Sequence, residues 1–470
     1  MQKKRVIILG AGLTGLTTAW KLASAGVPVI IIEKENDVGG LAGTIDWDGW
    51  KFDYGPHNFH TGENYILEFY KKLLPDHFKS RTLKARLFIF NKLVPFPLKG
   101  FKVFLELNKI QMIKALVDFT LTRIKAFFWG VKETEYLDEW IIQRFGKFLY
   151  SIYFGPYIER VWKMDGHKLS KVIGELKIPI LSIREHIKRE FFKKEDKDDF
   201  LQWDKYYVKW GIGQLSRFFY NELLKMPHVR IILGSHIDSI AVEKSVITSV
   251  QVGREEIEIT PNDYIVSTIP LTTLIKILPE VPENIRATIN KLDYCSERFL
   301  FLKIKKTKIM GYDWIYISDG KYPFNRVSEF NYDQFEMVPE GYTSLTVEFP
   351  CNDGDSIWSM PDNELLDITL SFFDEIYHLE KEDIIGLRSA FQDYAYPRFI
   401  VGYPEVLHNV FCYLENIGNI FSIGRQGMFC YLDTDEATIM GLETADILIR
   451  GSMASKRHGV LLKKYHNMEI

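Results

Sequence analysis

The sequence predicts an α/β protein: a parallel sheet opened by a βαβ unit, with helical and mixed α+β segments inserted between its strands. Three observations carry this. A β-branched apolar run at residues 5–9 (RVIIL) ends in the turn Gly10-Ala11-Gly12-Leu13-Thr14-Gly15. Helical spacing follows over residues 16–25, with Gly26 placed as a C-cap. A second buried strand, residues 29–32, closes the unit and ends at Glu33. Strand, turn, helix and strand within about thirty residues is the signature of a parallel sheet.

Each part of the turn has a physical task. The first glycine permits the tight turn, the second lets a pyrophosphate approach the backbone, and the third lets helix and strand pack closely. The helix N-terminus offers free N–H groups and a positive dipole to phosphate. Glu33 lies 18 residues after the last glycine, where a carboxylate can accept bonds from an adenosine ribose and disfavours a 2′-phosphate. A Rossmann-type dinucleotide domain is therefore expected, and NADP is not.

The rest of the chain reads as follows. Residues 64–199 are mainly helical in pattern and close on a charge run, KKEDKDD at 193–199, expected to be a solvated loop. A helix is predicted over 209–224, after Gly211 and Gly213. Short strands are predicted at 229–233, 237–242, 246–252, 257–259 and 264–268. Strand-like alternation recurs over 298–349 (FLFLKI, WIYI, TSLTVEF). Helices at 362–378 and 437–450 flank a strand at 420–423 that ends in Gly424. The domains expected are a discontinuous nucleotide domain (1–63, 205–295 and 415–450), a helical insert (64–204) and a β-rich substrate domain (296–414).

Composition narrows the function classes. The 470 residues are 46% hydrophobic and 26% charged, an ordinary globular balance. A formal net charge of −3 gives no nucleic-acid footprint. The four cysteines, Cys295, Cys351, Cys412 and Cys430, form no CxxC pair, which points to a reducing, cytoplasmic setting without a zinc site or disulfide framework. No metal-ligand spacing and no GxSxG elbow occur. No uninterrupted apolar run reaches about 18 residues. The apolar-rich stretch 101–129 is broken by charges and reads as an amphipathic core or lid helix, with a membrane-surface helix as the alternative; membrane association is not expected. Oligomeric state is left open.

Further segments carry a resemblance. Asp37-Val38-Gly39-Gly40-Leu41-Ala42-Gly43-Thr44 resembles the second glycine segment of the FAD-dependent amine oxidoreductase superfamily, with Leu41 where most members have Arg. Lys209-Trp210-Gly211-Ile212-Gly213-Gln214 resembles the glycine segment that precedes a helix in these flavoproteins. Phe52-Asp53-Tyr54-Gly55-Pro56-His57-Asn58-Phe59-His60-Thr61 resembles the flavin-side loop of UDP-galactopyranose mutases. Val94-Pro95-Phe96-Pro97, Trp314-Ile315-Tyr316, Phe324-Asn325-Arg326 and Tyr396-Pro397 are similar to other segments of those enzymes. Gly424 to Tyr431 (GRQGMFCY) resembles their late flavin loop, and that of protoporphyrinogen-oxidase-like proteins. Lys177 stands where the mutases often have Arg, and residues 432–438 (LDTDEAT) depart from their Asp-His-Ser.

The resemblance implies FAD as cofactor. It implies a small-molecule substrate, a nucleotide-diphosphate sugar, rearranged between pyranose and furanose with reduced flavin as nucleophile, and with an external reductant as a further partner. The alternative it leaves open is an oxidase or desaturase of a cyclic or amine substrate. The implied cofactor set is Gly10, Gly12, Leu13, Thr14, Gly15, Glu33, Lys34, Gly40, Leu41, Gly55, Pro56, His57, Asn58, Ile237, Gly424, Arg425 and Asp435. The implied substrate set is Trp314, Tyr316, Arg326, Tyr396, Tyr431 and Lys177. His57, Arg326, Arg425 and Tyr431 are the implied catalytic set, with His60 beside the isoalloxazine. Arginine forks and phenol hydroxyls suit a diphosphate, because they supply charged and neutral donors together.

Overall fold

A computed structural model describes residues 4–59, 61–80, 84–96, 107–178, 206–331, 336–451, 457–466 and 468. The charge run at 193–199, His60 and Pro97 lie outside the described residues.

A five-stranded parallel sheet contains the βαβ unit of the glycine turn, in the order Ile420–Ser422, Tyr264–Ser267, Val6–Leu9 (β1), Val29–Ile32 (β2) and Val229–Ile232. All four residues of β1 are fully buried, as both faces of a parallel strand must be. Helix Leu13–Ser24 (α1) rises from the glycine turn. It crosses helix Thr434–Arg450 closely: Thr14 Oγ1 donates to Ala437 O (3.0 Å) and Thr18 Oγ1 to Gly441 O (3.2 Å). That crossing brings the chain's last segments against its first turn. Ile237–Glu243, Val246–Val252 and Glu255–Glu258 form a separate antiparallel sheet.

The second large element is a seven-stranded mixed sheet. Its order is Ile384–Arg398, Asp293–Ile304, Thr343–Cys351, Arg326–Asn331, Trp314–Ile317, Ala85–Ile89 and Lys92–Pro95. The last two strands come from the segment that reads as helical, where the alternation ARLFI fits a pleated half-buried surface. Strand Phe78–Ser80 pairs with Tyr206–Val208, so the helix expected from residue 209 begins only at Gly213, after the turn at Trp210 and Gly211. Helix Tyr403–Glu415 falls within the stretch expected to be β-rich, yet its buried face joins the core around the parallel sheet.

Helix Lys109–Trp129 departs from the core-helix expectation. An Asn108–Gln111 capping box starts it, but Ala115 is its one buried residue. Met112, Leu116 and Phe119 pack with Ala115 on a small cluster, while the helix's other large apolar side chains face outward.

Candidate active site

The glycine turn has the geometry a pyrophosphate needs. At Gly15 an added Cβ would collide with the Gly10 carbonyl, so α1 packs on the turn only without a side chain. At Gly12 a Cβ would meet nothing within 4 Å, which leaves space at the helix start. No side chain caps α1 and no acid occupies its first turn, so its N–H groups point at that space. Gly39 donates to Ala11 O (2.9 Å), which holds Gly40 against Gly12. Leu41 follows in a short helical turn beside them.

Glu33 sits at the mouth, where its carboxylate accepts from Ala11 N (2.6 Å) and Glu35 N (3.0 Å). Lys34 is exposed and near Glu35 and Asp393. Gly424 abuts Thr14, and Asp435 is buried in the first turn of the helix that crosses α1. Ile237 begins the small antiparallel sheet.

The loop after strand Trp50–Asp53 leads from this cradle to the seven-stranded sheet. Asp53 anchors it, accepting from Thr44 Oγ1, Tyr207 Oη and Ile212 N. Burial pushes its pKa up to about 6 against those bonds. Gly55 has φ +82°, and a Cβ there would stand 2.6 Å from Glu348 Oε1 and 2.9 Å from Arg326 Nη2. Only glycine lets the Gly55-Pro56 backbone lie this close to the ion pair.

His57 follows, with Nδ1 3.2 Å from Gly55 O. A carbonyl only accepts, so this contact assigns the proton to Nδ1 and leaves a lone pair on Nε2. Burial lowers the pKa of His57 to about 4, and the Arg326 charge adds to this. The imidazole is neutral at pH 7. Asn58 lies on the same loop.

Arg326 and Glu348 face each other directly across neighbouring strands. Two parallel bonds join them: Nε to Oε1 at 2.5 Å and Nη2 to Oε2 at 2.6 Å. Glu348 is fully buried and Arg326 is 17% exposed by side chain. Burial opposes the Arg326 charge, but Glu348 outweighs it and holds the guanidinium ionised. A second carboxylate, Glu297, lies on the adjacent strand, opposite Pro350 and so on the same face as Glu348. It is 1% exposed, hydrogen-bonds Asn325, and has Oε1 without a partner. Burial, and then the neighbouring Glu348 charge, push its pKa well above the carboxylate range. Glu297 is therefore a buried carboxyl whose ionised form is disfavoured within this cluster.

Aromatic rings close the cluster. The Arg326 guanidinium lies 5.6 Å from the Tyr316 ring centre. Arg425 lies 5.2 Å from Tyr396 and 5.3 Å from Tyr431. Its Nη1 donates to Leu432 O (3.1 Å) and Nη2 to Ala395 O (3.3 Å), while Nε is buried without a partner. Trp162 packs edge-on to Tyr396 and Tyr431, 6.2 and 5.9 Å between ring centres. Tyr157 is close enough to Tyr316, Arg326 and Tyr396 to feel their charges.

Tyr431 departs from its implied role as a phosphate donor, because its hydroxyl donates to Pro397 O at 2.6 Å. Trp314 is buried on the same strand face as Tyr316, 6.3 Å between ring centres. Lys177 ends helix Val172–Lys177, and its side chain lies outside the described residues.

The structure thus brings His57, Arg326, Arg425, Tyr316, Tyr396 and Tyr431 into one neighbourhood. It adds Glu297, Glu348, Tyr157 and Trp162, which are not among the residues the resemblance implies. A glutamate inside an otherwise apolar strand, as in TVEF, was the available signal for Glu348.

The profile of the flavin containing amine oxidoreductases matches residues 13–413. The chain belongs to that family. Among similar solved structures, reduced UDP-galactopyranose mutase is 18% identical, with a TM-score of 0.80 over 97% of each chain. A putative protoporphyrinogen oxidase from Exiguobacterium sp. 255-15 is 15% identical, with a TM-score of 0.73 over 96% of this chain and 100% of that one. These likenesses show the fold. Phytoene desaturase of Fusarium fujikuroi is 50% identical over 54 residues, which is 12% of this chain and 10% of the relative.

This flavin amine oxidoreductase has FAD as its cofactor, and its residues fit the group. The open space over Gly12, the uncapped start of α1 and the orphaned Nε of Arg425 each offer what a flavin dinucleotide takes up. No group of three or more metal-ligating side chains occurs among the described residues.

Proposed function

We propose that this flavoenzyme acts on a nucleotide-diphosphate sugar, as a redox-neutral pyranose/furanose mutase. One observation carries the reading. Two arginines and the phenols Tyr157, Tyr316 and Tyr396 converge beside the neutral His57, on the sheet face behind the Gly55-Pro56 loop. Such a wall offers charged and neutral donors to an oxyanion-rich ligand. The fold likeness to the mutase, over 97% of each chain, supports it.

Bound FAD would supply the covalent chemistry. The chain's own residues bind and orient. Arg425 and the Nη1 edge of Arg326, which Glu348 does not engage, would hold the diphosphate. Tyr316 and Tyr396 would add hydroxyl donors. His57 offers an acceptor at Nε2. Glu297, whose burial favours the uncharged carboxyl, would place that group beside Arg326. Trp162, Phe399 and the tyrosine rings exclude water around Arg425.

The test is an incubation of the anaerobically reduced, FAD-loaded protein with UDP-galactopyranose. The expected result is a new sugar isomer with UDP retained and no net flavin oxidation. Flavin bleached by substrate, with oxygen consumed on reoxidation, would overturn the reading. That outcome would favour an oxidase or desaturase, the reading that the desaturase relative supports.

A further inference from the structure

We propose that helix Lys109–Trp129 seats this protein on an anionic lipid surface. Its outward face carries an apolar stripe: Ile110, Ile113, Val117, Leu121, Ile124 and Phe128, each 46–69% exposed. Spacings of three and four residues put all six on one side of an α-helix. The stripe runs the full length of the helix, about 31 Å at 1.5 Å per residue. Its end is aromatic, with Phe127 83% and Trp129 79% exposed. Aromatic side chains of this kind sit at the boundary between headgroups and acyl chains. Beside the stripe, an open groove of about 560 Å³ runs between this helix and Phe148.

Charge decides what covers the stripe. Between residues 109 and 132 stand five cations, Lys109, Lys114, Arg123, Lys125 and Lys132, and one carboxylate, Asp118. By helical position Lys114 and Lys125 border the stripe on one side and Lys109 on the other. The carboxylate turns inward and accepts from Phe148 N at 2.7 Å. Glu133 and Glu135 come later, on the loop to the next helix. Lys147 lines the groove. A second copy packed stripe to stripe would set these cations against their own kind. A lipid surface rich in anionic headgroups takes up the apolar stripe and pairs the flanking cations at once. The helix would lie in the surface, since no helix among the described residues is long and apolar enough to cross a membrane.

The experiment is flotation of the full-length, FAD-loaded protein with vesicles of phosphatidylcholine alone or enriched in phosphatidylglycerol. Binding to the phosphatidylglycerol vesicles only, weakened by high salt, is expected. The triple variants Phe127→Ser/Phe128→Ser/Trp129→Ser and Lys109→Glu/Lys114→Glu/Lys125→Glu should each lower binding about tenfold or more. Both should keep flavin absorbance and melting temperature, because these side chains are exposed. No flotation with phosphatidylglycerol vesicles at low salt would overturn the proposal, as would undiminished flotation of both variants. So would a solution dimer that Ile113→Lys/Leu121→Lys splits, which would assign the stripe to a second copy.

Discussion

Replacing Glu348 by Gln tests the centre of the site, because it removes one charge and almost no volume. Glu348 is fully buried and holds Arg326 through bonds of 2.5 and 2.6 Å. Removing one partner of a buried ion pair costs about 3–5 kcal/mol, since the other charge is left unpaired. Glutamine keeps one oxygen that can accept from Arg326 Nε, so the lower end, about 3 kcal/mol, is expected. Arg326 would meanwhile lose the carboxylate that competes with a bound diphosphate. A gain of about 1.4 kcal/mol there is about tenfold in Kd. Guanidinium unfolding of the FAD-loaded protein reads the first effect as a lower midpoint, and calorimetric titration of UDP reads the second. The expected pattern is opposite in sign: weaker folding, tighter UDP. A Glu348→Gln protein as stable as the parent, with unchanged UDP affinity, would refute the account of Arg326 as a cation held by Glu348.

Other outcomes follow from the same geometry. Gly15→Ala should abolish FAD retention, because its Cβ strikes the Gly10 carbonyl, whereas Gly12→Ala should fold normally and lose FAD affinity alone; flavin fluorescence after gel filtration separates the two. Tyr431→Phe should cost about 1 kcal/mol in stability, the worth of one neutral hydrogen bond, and leave UDP affinity unchanged because the hydroxyl serves Pro397. NMR of the His57 ring should show its titration centred near pH 4. A basic group whose pKa is lower folded than unfolded contributes stability above its ordinary value near 6.5 that is lost as pH falls toward 4. His57→Gln should therefore flatten the stability profile between those limits, and a profile as steep as the parent's would count against the assignment.

Much of the nucleotide half is legible in the sequence, because its signals are local. The glycine turn, the uncapped helix start and Glu33 at the end of the second strand lie within one stretch of chain. The fold follows from them through backbone sterics and β-branched packing. The strands at 85–95 are less legible, since a short apolar run fits either a buried helix or a strand until a partner strand appears. Glu297 and Glu348 are hard to read from sequence for a related reason: a carboxylate within an apolar strand normally marks an exposed or edge position. Here strand register aligns Glu348 with Arg326, and both glutamates face the cluster.

The sequence by itself therefore determined the parallel α/β frame and its dinucleotide turn, because glycine geometry and strand-helix-strand order act over a few residues. The tertiary structure decided the rest. It paired Arg326 with Glu348, gave the Tyr431 hydroxyl to Pro397, lowered the pKa of His57, and turned the stripe of helix Lys109–Trp129 outward. Each of these depends on which distant strands and helices become neighbours, and burial and Coulomb interaction are properties of that neighbourhood.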